Sequence, residues 1–168
     1  VLPDEELLRL AEIAAQRDIP LIIDNACGWP FPGIVFGDSA PLWTDQTIHV
    51  MSLSKLGLPG TRTAFVVAPP EVASAISSMV AVTGLANGNL GQAIVAPLLK
   101  SDEILHLCRD VVCPFYKQKR DKALAAAKEF FPKNSPWSFH ECEGALFLWL
   151  RLKDSCKTSR QLYHILKQ

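Results

Sequence analysis

The 168-residue chain has no run of basic side chains: lysine plus arginine number 17, and so do aspartate plus glutamate. A neutral chain without a basic patch gives no electrostatic case for nucleic acid or for an anionic membrane surface. Long apolar runs are also missing, and no segment reads as a membrane span. The opening residues, Val1-Leu2-Pro3-Asp4-Glu5-Glu6, show neither the basic region nor the apolar core of a secretory signal, and no initiator methionine. We expect a chain cut from something longer. None of the five cysteines (Cys27, Cys108, Cys113, Cys142 and Cys156) stands in a CxxC spacing, and the four histidines are scattered. That argues against zinc and for reduced thiols in a cytoplasmic protein. No internal repeat or low-complexity tract is present.

What is present is an ordinary globular composition, 49% apolar and 20% charged, in a chain long enough for one good-sized domain or one plus part of another. Residues 4–17 read as an amphipathic helix, with Leu7, Leu10, Ala11 and Ala14 on one face and acids in the first turn. Leu21-Ile22-Ile23-Asp24 has no alternation, which suits a strand buried on both faces of a parallel sheet. Residues 28–46 hold three prolines and three glycines and form a long irregular loop. Residues 47–51 and 63–68 are further strands, followed by helices near 70–81 and 89–99. Ser101 is expected to cap another helix that runs to about Phe131, kinked or broken at Pro114. Residues 137–141 and 145–152 read as two strands joined at Gly144, with Phe147 and Trp149 packed in a core. A last helix begins at Thr158. The fold class is α/β: a mostly parallel layer, followed by the start of a smaller α+β unit.

The chemistry concentrates in Met51-Ser52-Leu53-Ser54-Lys55-Leu56-Gly57-Leu58-Pro59-Gly60-Thr61-Arg62. A lysine between hydroxyls, followed by a Pro-Gly turn and an arginine, suits an amine beside a phosphate. An aldehyde cofactor with a phosphate and a pyridine ring needs three things: an amine to condense with, an anion site, and a carboxylate at its ring nitrogen. Lys55 answers the first, Ser52, Ser54 and Arg62 the second, and Asp24 the third. Asp24 ends a buried strand, where open α/β sheets place their ligands. Lys55 would first hold the cofactor and then, as a free amine, move a proton at the substrate Cα. The arginine fork grips phosphate through two donors. Each residue has a plain alternative. Ser-x-Ser-Lys can be a solvated surface turn, Asp24 a turn or cap residue, and Arg62 a surface ion-pair partner. The combination at this spacing is the specific signal.

These residues resemble the class I/II, fold-type I, pyridoxal-phosphate-dependent aminotransferases. Asp24-Asn25-Ala26 is similar to their Asp-x-Ala-Tyr segment, Ser52-Leu53-Ser54-Lys55 to their lysine motif, and Pro59-Gly60-Thr61-Arg62 to their phosphate arginine. The resemblance covers essentially the whole chain. It is most specific at residues 24–34, 41–43, 51–60 and 143–150, which resemble a branch acting on valine and alanine. It implies ping-pong transfer of an amino group from an amino acid to a 2-oxo acid, with pyridoxal 5'-phosphate held by Lys55, Asp24, Ala26, Cys27, Ser52, Ser54 and Arg62. It also implies a homodimer, a partial large cofactor-binding domain over 1–112, and a linking helix with a partial small domain over 113–168. The family's glycine-rich phosphate loop, its ring-stacking aromatic and its Asn-Pro-x-Gly turn would precede Val1, and its substrate-carboxylate arginine would follow Gln168.

The departures are specific. Cys27 takes the place of a tyrosine that donates to the cofactor, and a thiol is shorter and a weak donor. Ala64 replaces a glycine, and Cys142 a proline. Trp29, Phe31 and Trp43 either line a substrate pocket or a dimer contact, or anchor their loop. His49, His106, His140 and His164 show no triad or ligand spacing and receive no role. Asn87-Gly88-Asn89 reads as a turn and helix start. Three other readings share these features: a lyase using the same cofactor, a non-catalytic aminotransferase-like domain of a regulator, and a decayed inactive fragment.

Overall fold

The computed structural model describes residues 2–86, 88–131, 136–140, 142–153 and 157–167. It is an α/β structure. Helix α1 (Asp4–Gln16) leads into strand β1 (Leu21–Asn25), and the irregular loop into β2 (Thr47–Ser52). Two short 3-10 turns, Ser54–Leu56 and Pro59–Thr61, precede β3 (Ala64–Val67). Helices α2 (Pro70–Gly84), α3 (Asn89–Lys100), α4 (Glu103–Leu107) and α5 (Cys113–Phe130) follow. Strands β4 (Trp137–His140) and β5 (Trp149–Leu152) and helix α6 (Ser159–Leu166) complete the order.

The first sheet runs β1-β2-β3. β1 pairs parallel with β2, Ile23 opposite His49 and Asn25 opposite Met51. β2 pairs antiparallel with β3, Met51 opposite Phe65. The sheet is therefore mixed, not mostly parallel. The short link through the Lys55 turns reverses the chain directly, whereas a parallel return needs a long crossover. β4 and β5 form a separate antiparallel ribbon.

The core lies beneath the lysine turn. Phe31, Met51, Leu53, Val95, Ile104 and Cys108 form one buried cluster, with Leu56, Leu58, Phe65 and Leu98 packed against it. Phe31 comes from the loop and meets Phe65 edge-on at 5.5 Å, so it anchors the loop. Leu53 is fully buried between the two serines, and its N–H donates to the Thr63 carbonyl at 3.2 Å. Burial of that one leucine turns the neighbouring residues away from the core.

Several local expectations change. Ser101 does not cap the next helix. It closes α3, where its hydroxyl donates to the Pro97 carbonyl at 3.0 Å. Asp102 precedes α4 with a left-handed backbone, and its side chain makes no capping bond. Pro114 does not break the helical run. It follows a π-turn at Cys108–Val112 inside a continuous helical run, and the wider turn accommodates the missing N–H. The last strand starts at Trp149 rather than at 145, and Phe147 and Trp149 are 74% and 71% exposed, not core. A two-stranded ribbon leaves its side chains uncovered. Thr158 does start the last helix, through a reciprocal capping box with Gln161. Of Asn87-Gly88-Asn89, Gly88 and Asn89 begin α3; Asn87 and Glu141 lie outside the described residues.

Much apolar surface is open. α1 and α2 contain no buried residue. Ile22 on edge strand β1 is 65% exposed and Val82 on α2 is 87% exposed. Exposed apolar faces beside an unpaired strand edge favour association. Residues 1–168 produced alone are expected to self-associate, bind a hydrophobic dye and melt broadly. A monomer in analytical ultracentrifugation with a sharp calorimetric transition would contradict this.

Candidate functional site

A cavity of about 510 Å³ runs along β1, from Leu7 and Leu10 of α1 past Leu21 and Ile22 to Asp24 and Asn25, within the range of small-molecule sites, about 300–1,000 Å³. Asp24, Ala26, Cys27 and Lys55 all line it, together with Asn25, Trp29, Leu42, His49 and residues of the 39–42 loop. The parallel register explains the meeting. β1 delivers Asp24 opposite Val50, and β2 runs on into the 3-10 turn carrying Lys55. Residues 31 apart in sequence thus reach one hollow.

Asp24 is oriented by its own turn. Its Oδ1 accepts from the Ala26 N–H at 3.0 Å, and its other oxygen has no partner among the described residues. The plain reading of Asp24 as a turn residue thus accounts for one oxygen and leaves the other available to the cavity. Ser52 shapes the lysine turn, its Oγ accepting from the Ser54 N–H at 3.2 Å. Arg62 adopts a left-handed backbone with φ 48°, which is uncommon for a residue with a side chain. Its Nη1 donates to the Pro59 carbonyl at 3.4 Å. Ser52, Ser54 and Arg62 are not among the residues lining the cavity. The arginine is exposed and folds back on its own turn, so the amine and carboxylate converge but the guanidinium does not join them.

Cys27 lies between the two charged groups. Burial pushes its thiol up, the Lys55 ammonium opposes that, and the Asp24 carboxylate adds to it. A raised thiol stays protonated near neutrality and can donate weakly. Alkylation by iodoacetamide at pH 8 is therefore expected to be slower at Cys27 than for a free cysteine. Lys55→Met should slow it further, and Asp24→Asn should speed it. Buried Cys108, pushed up to about 11 by burial and by Cys113, should stay unmodified. Equal Cys27 rates in the native protein and both variants, followed by peptide mass spectrometry, would place those charges away from the thiol. The four described cysteines are free thiols; Cys156 lies outside the described residues.

Two contributors were not legible in the sequence. Residues 143–145 dock on the loop: the Phe36 N–H donates to the Glu143 carbonyl at 2.7 Å and the Ala145 N–H to the Ile34 carbonyl at 2.8 Å. This carries Ala145 and Phe147 to the cavity wall. His49, which received no role, is buried and faces the same cavity. Its place on a strand, between apolar neighbours, carried no local signal. Trp29 lines the cavity, whereas Trp43 does not and stacks on His49, so Phe31 and Trp43 both anchor the loop.

A cavity that sets an amine against a half-free carboxylate suits a group with an aldehyde and a basic ring nitrogen. Among the described residues no cluster of three metal-ligating side chains occurs, and no helix is long and apolar enough to cross a membrane.

The profile of aminotransferase class I and II matches residues 1–168. The chain is 44% identical over 167 residues to the valine–pyruvate aminotransferase of Escherichia coli, covering 99% of this chain and 40% of that protein. The crystal structure of the valine–pyruvate aminotransferase of Salmonella typhimurium superposes with a TM-score of 0.91 at 42% identity, covering 99% of this chain and 43% of that one. The alpha-aminoadipate aminotransferase of Thermus thermophilus, complexed with N-(5'-phosphopyridoxyl)-L-leucine, superposes with a TM-score of 0.77 at 25% identity, covering 96% and 42%. The chain thus spans about two fifths of the length of the relatives it matches.

Proposed function

The chain belongs to the class I and II aminotransferase family, and we propose that, within a longer polypeptide, it supplies the lysine and the ring-facing aspartate of a pyridoxal-phosphate-dependent transaminase. The reaction is transfer of an amino group from valine or alanine to a 2-oxo acid. The observation that carries this reading is the shared cavity of Lys55 and Asp24.

Bound pyridoxal 5'-phosphate would supply an aldehyde for an amine and a ring that withdraws electrons from the substrate Cα. Lys55 would hold that aldehyde and, once released by the incoming amino acid, move the proton at Cα. A positioned side-chain acid–base of this kind contributes about 10²–10⁴-fold. Asp24 would take the ring N–H on the oxygen that Ala26 leaves free. The Ala26 amide keeps the other oxygen still, so the carboxylate needs no reorientation. Cys27, as a neutral thiol, would donate weakly where a tyrosine donates in the family pattern. Ser52, Ser54 and Arg62, which stand outside the cavity here, would take the phosphate only once the Arg62 side chain leaves the Pro59 carbonyl. Residues 1–112 would then be part of a cofactor domain and 113–168 a linking helix and part of a smaller domain, working as a homodimer in the cytoplasm.

The full-length polypeptide, supplied with pyridoxal phosphate, is expected to turn valine over repeatedly only when a 2-oxo acid such as pyruvate is added; without an acceptor it should consume no more valine than the cofactor present. Amine release without an acceptor would instead mark a lyase, and no turnover under either condition would sink the enzymatic reading.

A further inference from the structure

His49 joins two walls of the cavity. Its Nε2 makes a short hydrogen bond to the Leu42 carbonyl. A carbonyl can only accept, so Nε2 carries the proton and Nδ1 is left as an acceptor. The Asn25 amide meets that Nδ1 at 3.2 Å. Asn25 and His49 lie on one sheet face, because Ile23, two residues before Asn25, is the register partner of His49. Asn25 is hemmed in from the other side: a Cβ on Gly28 would come 2.7 Å from its Oδ1, and the Gly28 N–H donates to the Asn25 carbonyl at 3.0 Å. The amide that His49 holds is therefore the hub of the 24–28 turn, which presents Asp24 and Cys27 to the cavity. On its other side, His49 holds the segment Ser39–Leu42, which lines the opposite wall, and Trp43 stacks on the imidazole at 5.5 Å between ring centroids.

We propose that His49 is a positioning residue that sets the substrate-side wall, residues 39–43, against the cofactor-side turn, residues 24–28. The proposal rests on the transaminase reading of this cavity. His49 touches neither reacting atom in this scheme; it acts through Asn25 on one side and Leu42 on the other. The two bonds use different ring nitrogens, so their roles separate. Glutamine can reach the Leu42 carbonyl but not Asn25 in the same pose. Asparagine can reach Asn25 but falls short of Leu42. Each substitution cuts one link and leaves the other.

The test uses the full-length polypeptide and both substitutions. His49→Asn is expected to raise KM for the amino acid about tenfold with little change in kcat, as a wall displaced by about 1 Å would. Amide exchange should rise at Ala40, whose N–H donates to the Asp4 carboxylate at 3.3 Å in the displaced wall. The amides of Thr44 and Gln46, held by the Thr47 and Thr44 hydroxyls at 2.9 and 3.3 Å, serve as internal controls and should stay protected. His49→Gln is expected to keep the native exchange pattern and the native KM, and instead to shift the visible band of bound cofactor and weaken its affinity. Nitrogen-15 correlation of the native imidazole should show the Nε2–H tautomer. Identical behaviour of the two variants, or a uniform rise in exchange with no split between KM and cofactor spectrum, would overturn the proposal and leave His49 an ordinary core residue. Failure of the native protein to acquire the Lys55-linked cofactor mass would overturn the transaminase reading, and this proposal with it. That outcome is separable because it appears before any His49 variant is made.

Discussion

Lys55→Ala is expected to abolish covalent capture of pyridoxal phosphate. In the native full-length polypeptide, borohydride reduction should leave the cofactor mass on the peptide containing Ser54-Lys55-Leu56, and the visible absorbance band should vanish on reduction. In the variant neither the mass nor the band should appear. The expectation follows from geometry: Lys55 lines the cavity that Asp24 also lines. Its turn is anchored from below by fully buried Leu53. Alanine at 55 removes the amine without touching that anchor, so the fold should survive and the loss can be assigned to chemistry. Transamination should fall by at least about 10²–10⁴-fold, because both the covalent hold and the proton-moving amine are gone. A cofactor mass still present in Lys55→Ala, on any peptide, would refute the assignment.

Gly91→Ala destabilises the protein, although helix propensity alone predicts the opposite sign. In an open helix the change would gain about 0.8–1 kcal/mol. Gly91 is buried in α3, and an added Cβ would overlap the Thr63 hydroxyl and lie 2.9 Å from the Cβ atoms of Thr61 and Thr63. Neither threonine can turn aside freely. The Thr61 hydroxyl donates to the Leu58 carbonyl at 2.8 Å, and the Thr63 hydroxyl to the Thr61 carbonyl at 2.9 Å. Such overpacking costs about 1–3 kcal/mol, read as a lower denaturation midpoint of the full-length polypeptide. Arg62 lies between the two displaced threonines, so cofactor affinity should weaken while the Lys55 linkage still forms. Thr63→Ala in the Gly91→Ala background should restore part of the loss. A stabilised Gly91→Ala protein would show that α3 does not press on this turn.

These two cases mark where local reading succeeds and stops. The serine-flanked lysine and the strand-ending aspartate carry their meaning in neighbours within a few residues, and the cavity brings them together. Helices with clear periodicity begin and end close to expectation, as at Asp4–Gln16 and Asn89–Lys100. Ser101 was misread because a serine before two acids looks like a cap from sequence, while the Pro97 carbonyl of the preceding turn was the nearer partner. Phe147 and Trp149 were misread because alternation reports a strand but not whether anything covers it. Arg62 was expected in the hollow. Spacing places its backbone nearby but does not set where a long, exposed side chain points, and here the Pro59 carbonyl claims it.

From the amino-acid order come the candidate chemistry and the element types, since propensity, periodicity and motif spacing act over one or two turns of chain. Folding in space adds the partners: the mixed sheet, Leu53 under the lysine turn, Gly91 against Thr61 and Thr63, and His49 between Asn25 and Leu42. Hydrogen bonds and packing depend on which atoms end within a few ångströms of one another. Nothing in the string of residues around His49 states that an asparagine 24 positions earlier will stand beside its ring.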